Sequence, residues 1–472
     1  MAEQPNTTLT PPSNLQTRPA GATEYSWCRA VPGGTGITVL ALLLSKSPNI
    51  SVLQNALNKL LNSNPILKSQ LHYSSTTNSY SYTIPSNSHL QIQPFDLSST
   101  AQILRTLNNN NNLINETDFH LILEHEMNQN SWSETSSNFI SNVFFASTYQ
   151  LNESSSVLTL RIHTSVCDRA AALAVLRKLL ELTMMSEEEN EGGGTKLELL
   201  KKMEVGLGIE EYIPAGKANK PFWARGIDMV GYGLNSLRFS NLKFMDSEST
   251  RGSQVVKLEL NKEDTDRVLD GCKTRGIKLC GLLAAAGLIA AHSSKGLNEN
   301  QWEKYAIVTL INCRSILDPV LSPDFPGFYH SAILNTHDVK GGDDLWELAK
   351  RCYTSFINAK NNNKHFSDMG DLNFLMCKAI DNPGLTPSSS LRTSLISVFE
   401  DPVIDTTSIL HQEIGLEDFI GCASVHGVGP SIAIFDTIRD GQLDCACVYP
   451  FPLHTREQMQ ELIGEMKRIL VD

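Results

Sequence analysis

The sequence lacks several features that would assign it to a simple class of protein. No apolar run reaches the roughly 18 residues that a membrane-spanning helix needs, and residues 1–20 contain no apolar core of a secretory signal. Lysine and arginine form no cluster, and 39 basic residues against 51 acidic ones give a formal net charge of −12. We therefore expect neither a membrane span nor a nucleic-acid partner.

Cysteine occurs ten times, but in no arrangement typical of a metal site or a disulfide framework. No CxxC pair is present, and the one close pair, Cys445 and Cys447, alternates across a strand pattern. Most of the ten lie in apolar runs, where cysteine behaves as a small buried hydrophobic side chain. This usage fits a reducing compartment, so we expect a cytoplasmic protein without a bound metal.

Length and composition are those of a globular protein with two lobes. The chain has 472 residues, of which 41% are hydrophobic and 19% charged. We expect a disordered tail over residues 1–22 and a first lobe over residues 23–205. A stretch of weak periodicity over residues 206–250 is expected to connect this lobe to a second one over residues 251–472.

Two helices of the second lobe are well marked in the sequence. Residues 279–291 are apolar nearly all round, which predicts a buried helix. Near the end of the chain, Thr455 with Gln458 forms a capping box, and the apolar residues that follow at helical spacing form a single stripe. Both patterns indicate helices packed against one core.

The most informative segment is a polar stretch from His163 to Arg169, which joins a predicted strand to a predicted helix in the first lobe. His163 ends the strand on the face opposite its apolar residues, and histidine titrates near neutrality, so it is a candidate general base. Asp168 immediately precedes the helix. From the residues alone, Asp168 is better explained as a helix cap and His163 as a hydrogen-bonded strand-end residue.

Three further segments occur in an order typical of one family. Residues 57–68 (LNKLLNSNPILK) are similar to the pattern AL..L...HP.LR, and residues 307–314 followed by residues 325–328 (FPGF) are similar to v..R..l.P.....GN. The third is the predicted strand from Asp444 to Pro450, together with the helix that follows it. Together these segments resemble the chloramphenicol acetyltransferase-like superfamily, which includes BAHD acyltransferases, alcohol acetyltransferases and the condensation domains of nonribosomal peptide synthetases.

The resemblance implies a two-lobe α/β (α+β) fold of mixed sheets flanked by helices, with a tunnel between the lobes. It implies a transferase of specialised metabolism, in which acyl-CoA as co-substrate donates its acyl group to a small-molecule alcohol or amine in one general-base step. O- and N-acylation both stay open. It also implies that no cofactor is permanently bound, and we expect the protein to act as a monomer.

The family's catalytic motif is HxxxD, often HHxxxDG, and this chain departs from it. With Asp168 on the family's aspartate, the first histidine falls on His163, the catalytic position falls on Thr164, and Arg169 replaces the glycine. We expect a longer turn to aim His163 into the tunnel as catalytic base, and Asp168 to pair with Arg314. The alternative is a catalytically silent binding or scaffold protein, because threonine cannot accept a proton near neutral pH.

Three other residues are expected near the tunnel on weaker grounds. Residues 394–401 resemble the segment in which the family places a serine near the oxyanion, so Ser394 or Ser397 is a candidate hydrogen-bond donor. His330 follows a turn at Gly327 and is a candidate substitute base, ranked below His163. The BAHD motif DFGWG is absent, which favours the alcohol acetyltransferase and condensation branches and leaves a carrier-protein donor as a third alternative.

Overall fold

The structure is a computed structural model with two lobes, each built around a β-sheet. It describes residues 16–46, 48–86, 90–111, 117–133, 139–190, 205–221, 239–298, 300–405 and 414–472. Residues 1–15 of the expected tail, residues 191–204 at the end of the expected first lobe and residues 222–238 of the expected connector lie outside this description.

The described residues form both strands and helices, some alternating and some in runs of one kind, as expected of a mixed α/β (α+β) protein. The strands are β1 (Gln16–Pro19), β2 (Thr35–Leu44), β3 (Gln70–Ser74), β4 (Ser79–Ile84), β5 (Ile92–Phe95), β6 (Ile140–Asn142), β7 (Phe144–Gln150), β8 (Ser156–His163), β9 (Gly252–Leu260), β10 (Glu303–Asn312), β11 (His330–Val339), β12 (Arg392–Phe399), β13 (Val403–Asp405), β14 (Leu416–Val425), β15 (Gly429–Arg439) and β16 (Gln442–Phe451). The helices are α1 (Ala22–Ala30), α2 (Ile50–Ser63), α3 (Leu97–Asn111), α4 (Asp118–Asn128), α5 (Arg169–Asn190), α6 (Lys262–Thr274), α7 (Leu279–Ser293), α8 (Leu345–Asn361), α9 (Lys364–Ser367), α10 (Met369–Asp381) and α11 (Arg456–Val471).

Three sheets form within the described part of the chain. In the first lobe, a five-stranded sheet has the order β14-β2-β8-β7-β5, and a four-stranded sheet has the order β1-β4-β3-β6. In the second lobe, a seven-stranded sheet has the order β11-β10-β12-β15-β16-β9, with β13 beside β15. The seven-stranded sheet is mixed, because β12 runs parallel to both β10 and β15 while β11 and β16 run antiparallel to their neighbours.

One strand crosses from the C-terminal half of the chain into the first lobe. Strand β14 pairs antiparallel with β2, from Leu416 opposite Leu44 to Val425 opposite Thr35. The next strand, β15, returns to the sheet of the second lobe. Residues 251–472 are expected to form the second lobe, whereas the hydrogen bonds of β14 make it an edge strand of the first.

The two helices that the sequence marks most clearly form as predicted. Helix α7 is buried on all sides within the core of the second lobe. Helix α11 begins after Thr455, whose side chain accepts a hydrogen bond from the backbone N–H of Gln458, and its buried stripe packs into the same core. That stripe consists of Met459, Leu462, Ile463, Met466 and Leu470.

The N-terminal segment is ordered earlier in the chain than its composition indicates. Residues 16–22 fall in the segment expected to be disordered, yet β1 pairs with β4, and α1 begins at Ala22. A buried ion pair explains the difference, because Arg18 donates to both carboxylate oxygens of Glu24 at 2.7 and 2.8 Å. The guanidinium also lies over the ring of Tyr82, 4.9 Å from its centroid.

No single helix among those described is both long and apolar enough to cross a membrane. Helices α6 and α7 meet the requirements of length and composition only as a pair, and their axes are bent by 107°. Helix α7 is buried within the protein core.

A buried ion pair also joins the lobes. Glu124 on α4 accepts two hydrogen bonds from Arg456 on α11, both at 2.7 Å, and a third from the backbone N–H of Val255 on β9 at 2.8 Å. The side chains of Glu124 and Arg456 are 8% and 9% exposed. Because both charged groups are buried away from water, each is stabilised by the charge of the other.

We predict that Arg456→Met lowers the free energy of unfolding by about 3 to 5 kcal/mol, because it leaves Glu124 buried without its cation. Urea unfolding measures this loss. Arg468→Met on the same helix is the matched control, since Arg468 pairs with Glu465 on the exposed surface and its removal should leave the midpoint unchanged. Equal effects of the two variants would contradict the prediction.

Candidate functional site

A cavity of about 140 Å³ lies where the two lobes meet. Strands β2 and β14 of the first lobe, strands β12 and β15 of the second and the start of α5 contribute to its walls, which are mostly apolar. The polar groups among its lining residues include Thr164, Asp168, Arg169, His330 and Ser397. Many apolar walls with a few polar groups are typical of small-molecule sites.

A second pocket of about 270 Å³, the outer pocket, adjoins this cavity. The two spaces share lining residues, among them Arg169, His330 and Phe399. The outer pocket has more polar walls, with Glu400 and Asp401 at its edge. The shared lining residues can therefore be reached from both spaces.

His163 lies outside this cavity. It ends β8 opposite Ile37 of β2, and strand alternation directs its ring toward Trp132, edge to face at 5.2 Å between centroids. Its Nδ1 accepts a hydrogen bond from the backbone N–H of Ser165 at 3.2 Å and lies 2.7 Å from that residue's Oγ. Because the ring packs on Trp132 and is absent from the cavity lining, the expected re-aiming of His163 into the tunnel is not observed. Burial lowers the pKa of His163 to about 3.

Thr164 takes the place at the cavity wall instead. The short helical turn at residues 164–166 follows β8 and brings Thr164 to the lining of the cavity. Its Oγ1 lies 2.7 Å from Oγ1 of Thr38 on β2. Thr164, where the resemblance predicts a catalytic histidine, therefore faces the cavity, but a threonine hydroxyl does not accept protons near neutral pH.

Asp168 is held by groups from both lobes. Arg314, at the end of β10, donates from its two terminal nitrogens to the two carboxylate oxygens at 2.9 and 3.1 Å, with both side chains 2% exposed. The backbone N–H groups of Ala171 and Tyr329 donate at 2.9 and 2.7 Å. Although burial by itself raises the pKa of Asp168, the charge of Arg314 holds that pKa well below its usual range. Asp168 therefore caps α5 and pairs with Arg314 at once.

The turn before β11 is part of the same arrangement. The carbonyl of Gly327 accepts hydrogen bonds from Arg314 and from the backbone N–H of Asp168, both at 3.2 Å. Gly327 has a φ of +135°, a region that favours glycine, and a Cβ there would lie 2.6 Å from the ring of Tyr329. This turn leads directly into His330.

His330 is the predicted tunnel residue that the structure brings to Asp168. Its Nδ1 lies 2.9 Å from Oδ2 of Asp168, and its side chain is 7% exposed. The ring lies edge to face with Phe399, 6.0 Å between centroids, and lines both the cavity and the outer pocket.

The two candidate serines have different surroundings. Ser397 on β12 lines the cavity. Ser394, on the same strand, is buried outside the lining, and its Oγ has no hydrogen-bond partner in the described part of the chain. Of the two, only Ser397 could reach a molecule in the cavity.

Arg169 lines the cavity and pairs with a buried aspartate of the second lobe, a contact that the sequence pattern does not predict. It donates to Oδ1 of the buried Asp436 at 2.9 Å, and its guanidinium lies 4.2 Å from the ring centroid of Phe399. The sequence contains one sign that this position is unusual, because Arg169 stands where the resemblance predicts a glycine. Its partner lies 267 residues away in the chain, so no local pattern could identify it.

Nothing in the described ranges resembles a metal centre. No group of three or more histidine, cysteine, aspartate or glutamate side chains there could hold a metal ion. The ten cysteines are all free, and all but Cys377 are buried.

No family model matches this sequence, and no curated protein matches it. Solved structures do match. Trichothecene 15-O-acetyltransferase from Fusarium sporotrichioides is 12% identical with a TM-score of 0.72, and the match covers 98% of this chain and 96% of that one. The cyclization-docking bidomain of the nonribosomal peptide synthetase EpoB from Sorangium cellulosum is 13% identical with a TM-score of 0.63, covering 96% and 85%. The X-domain from teicoplanin biosynthesis, solved in complex with OxyB, is 14% identical with a TM-score of 0.59, covering 100% and 95%.

Identities this low show the fold alone. The chain has the two-lobe fold of condensation domains and chloramphenicol acetyltransferase-like proteins, with mixed sheets flanked by helices. The fold predicted from the sequence is thereby confirmed.

The burial of His163 predicts a specific dependence of stability on pH. Its folded pKa of about 3 lies below the ordinary value of about 6.5. Between these values the unfolded chain binds a proton that the folded protein does not, so stability falls as the pH falls from about 6.5. In His163→Phe this loss is absent, and the drop in unfolding free energy from pH 7 to pH 5 should be smaller by about 2 kcal/mol.

Urea unfolding of both proteins at the two pH values measures the difference. His72→Phe is the control, because burial lowers the pKa of the partly exposed His72 less strongly. We expect this variant to change the pH dependence of the unfolding free energy less than His163→Phe does. If His163→Phe leaves the pH dependence of the unfolding free energy unchanged, His163 protonates normally in the folded protein, as a ring facing the tunnel would.

Proposed function

We propose that this protein transfers an acyl group from acyl-CoA to a small-molecule alcohol or amine inside the interlobe cavity. The observation that supports this best is the cavity of about 140 Å³, whose mostly apolar walls include Asp168 and His330, with Arg314 paired to Asp168 behind the wall. Apolar walls hold the uncharged parts of two substrates, and a few polar groups orient them.

The proposed reaction is a single transfer without a covalent intermediate on the protein. The oxygen or nitrogen of the acceptor attacks the thioester carbonyl, and the thiol of CoA leaves. Walls that exclude water favour this transfer over hydrolysis of the thioester. Ser397, which lines the cavity, is the candidate donor to the oxyanion that forms.

A solved structure of similar fold and the state of the cysteines also support the proposal. A protein of similar fold is the trichothecene 15-O-acetyltransferase, which favours an O-acyl transfer to a small molecule as the reaction class. The ten free cysteines are in keeping with a reducing, cytoplasmic location, where we propose that the chain acts as a monomer.

The test is to incubate the protein with acetyl-CoA, hexanoyl-CoA or benzoyl-CoA, each with benzyl alcohol or benzylamine, and to follow thiol release and the acylated product. We expect release that depends on the acceptor. Ala433→Trp, which fills the cavity from β15, should lower kcat/KM on the order of 100-fold by displacing the substrates.

Ala215→Trp is the matched control, because Ala215 is exposed on a turn outside the cavity, and its turnover should equal that of the wild type. The proposal is contradicted if none of the donors releases thiol with either acceptor.

A second candidate function is the binding of a small molecule or a partner protein without chemistry. It is favoured by Thr164 at the cavity wall and by the burial of His163. The X-domain, which has a similar fold, was solved in complex with the protein OxyB. Acceptor-dependent thiol release by the wild type that disappears in Ala433→Trp would rule this candidate out.

A further inference from the structure

We propose that His330, which lies beside the carboxylate of Asp168, is the group that takes the acceptor's proton in this protein. The inference rests on the acyl transfer proposed above and assigns its general base to a residue of the second lobe. His163 and Thr164, at the positions where the family's motif carries histidines, do not supply the base in this assignment.

The position of His330 is the first argument. Of the described residues that line the cavity or the outer pocket, His330 is the only histidine. It lies in the wall that the two spaces share, beside Arg169 and Phe399. A substrate in either space would therefore lie beside His330, and general-base catalysis requires the base within hydrogen-bond reach of the transferred proton.

The partner of His330 is the second argument. Its Nδ1 lies 2.9 Å from Oδ2 of Asp168. Asp168 stays ionised because the positive charge of Arg314 lowers its pKa. Nδ1 has no hydrogen-bond partner in the described residues, but the negative charge beside it favours the tautomer with the proton on that nitrogen. In this tautomer Nε2, on the other side of the ring, carries the lone pair. The carboxylate also stabilises the imidazolium that forms when Nε2 accepts a proton.

Packing on the ring is the third argument. Phe399 lies edge to face against His330, with 6.0 Å between centroids, and Phe328 lies at 6.3 Å. A ring held between these side chains and one carboxylate is preorganised, so little ordering is needed when substrates bind.

His163 offers none of these features. Its ring is fully buried against Trp132, and its Nδ1 already accepts from Ser165. It is absent from the lining of either pocket. A proton from a substrate in the cavity has no direct route to it.

The step balances without a further reactant. As the acceptor's oxygen or nitrogen forms a bond to the thioester carbonyl carbon, its proton moves to Nε2 of His330. The carbon–sulfur bond then breaks, and the leaving thiolate takes the proton from Nε2, so that free CoA thiol is released. The imidazole ends neutral, as it began, and nothing is oxidised or reduced.

The experiment compares the wild type with His330→Ala and His330→Gln, using the donors and acceptors named above. We expect kcat to fall on the order of 100- to 10,000-fold in both variants. Free imidazole should restore part of the turnover of His330→Ala, because it can occupy the emptied place at the cavity wall. A merely structural role of His330 would show no such rescue.

His337→Gln is the matched control. His337 is buried on the same strand but lines neither pocket, so this variant should keep the kcat of the wild type. Circular dichroism and the thermal midpoint establish that each variant is folded, and His330→Gln, which is closer in size, supplies the comparison if His330→Ala is not.

The outcomes separate the two proposals. Wild-type turnover that persists in folded His330→Gln overturns the assignment of His330 and leaves acyl transfer intact. A loss of turnover in His330→Ala without rescue by imidazole, matched by an equal loss in His337→Gln, also overturns it. A wild type that releases no thiol with any donor overturns the proposed acyl transfer, and this assignment with it.

Discussion

The buried carboxylate of Asp168 constrains the structure of the site more than any other group. An ionised carboxylate removed from water must be compensated by charge and hydrogen bonds. Here the compensation comes from Arg314 of the second lobe and from two backbone N–H groups, those of Ala171 and Tyr329. Because these donors belong to both lobes, satisfying one charge fixes the start of α5, the end of β10 and the turn before β11 relative to one another.

That constraint also determines what faces the cavity. The turn from His163 to Asp168 begins at a strand end fixed by pairing with β2 and finishes at a carboxylate fixed by Arg314. Within this short span, strand alternation leaves His163 on the side of Trp132, and the helical turn presents Thr164 to the cavity. The same constraint brings His330 to Asp168 from the second lobe. The site thus has a histidine beside its aspartate, but on a different strand from the one that the motif indicates.

Much of the fold could be predicted from the sequence, because it is encoded in local patterns. The all-apolar stretch that forms α7 and the capped, striped segment that forms α11 are examples, since periodicity of this strength leaves few alternatives. The order of segments that resembles the superfamily extended these local predictions to the whole fold. The early start of order at β1 was missed, because a single buried pair, Arg18 with Glu24, outweighs an unfavourable composition.

The sequence by itself determined the type of fold, the presence of Asp168 and Arg314 at the ends of their elements and the replacement of the expected catalytic histidine by Thr164. Only the tertiary structure decided the direction of each side chain at the turn, the pairing of Arg169 with Asp436 and the approach of His330 to Asp168. The physical reason is how far apart along the chain the interacting residues lie. Helix and strand patterns depend on neighbours within a few residues, whereas the site is assembled from charges and rings that lie more than 100 residues apart and meet only when the two lobes pack.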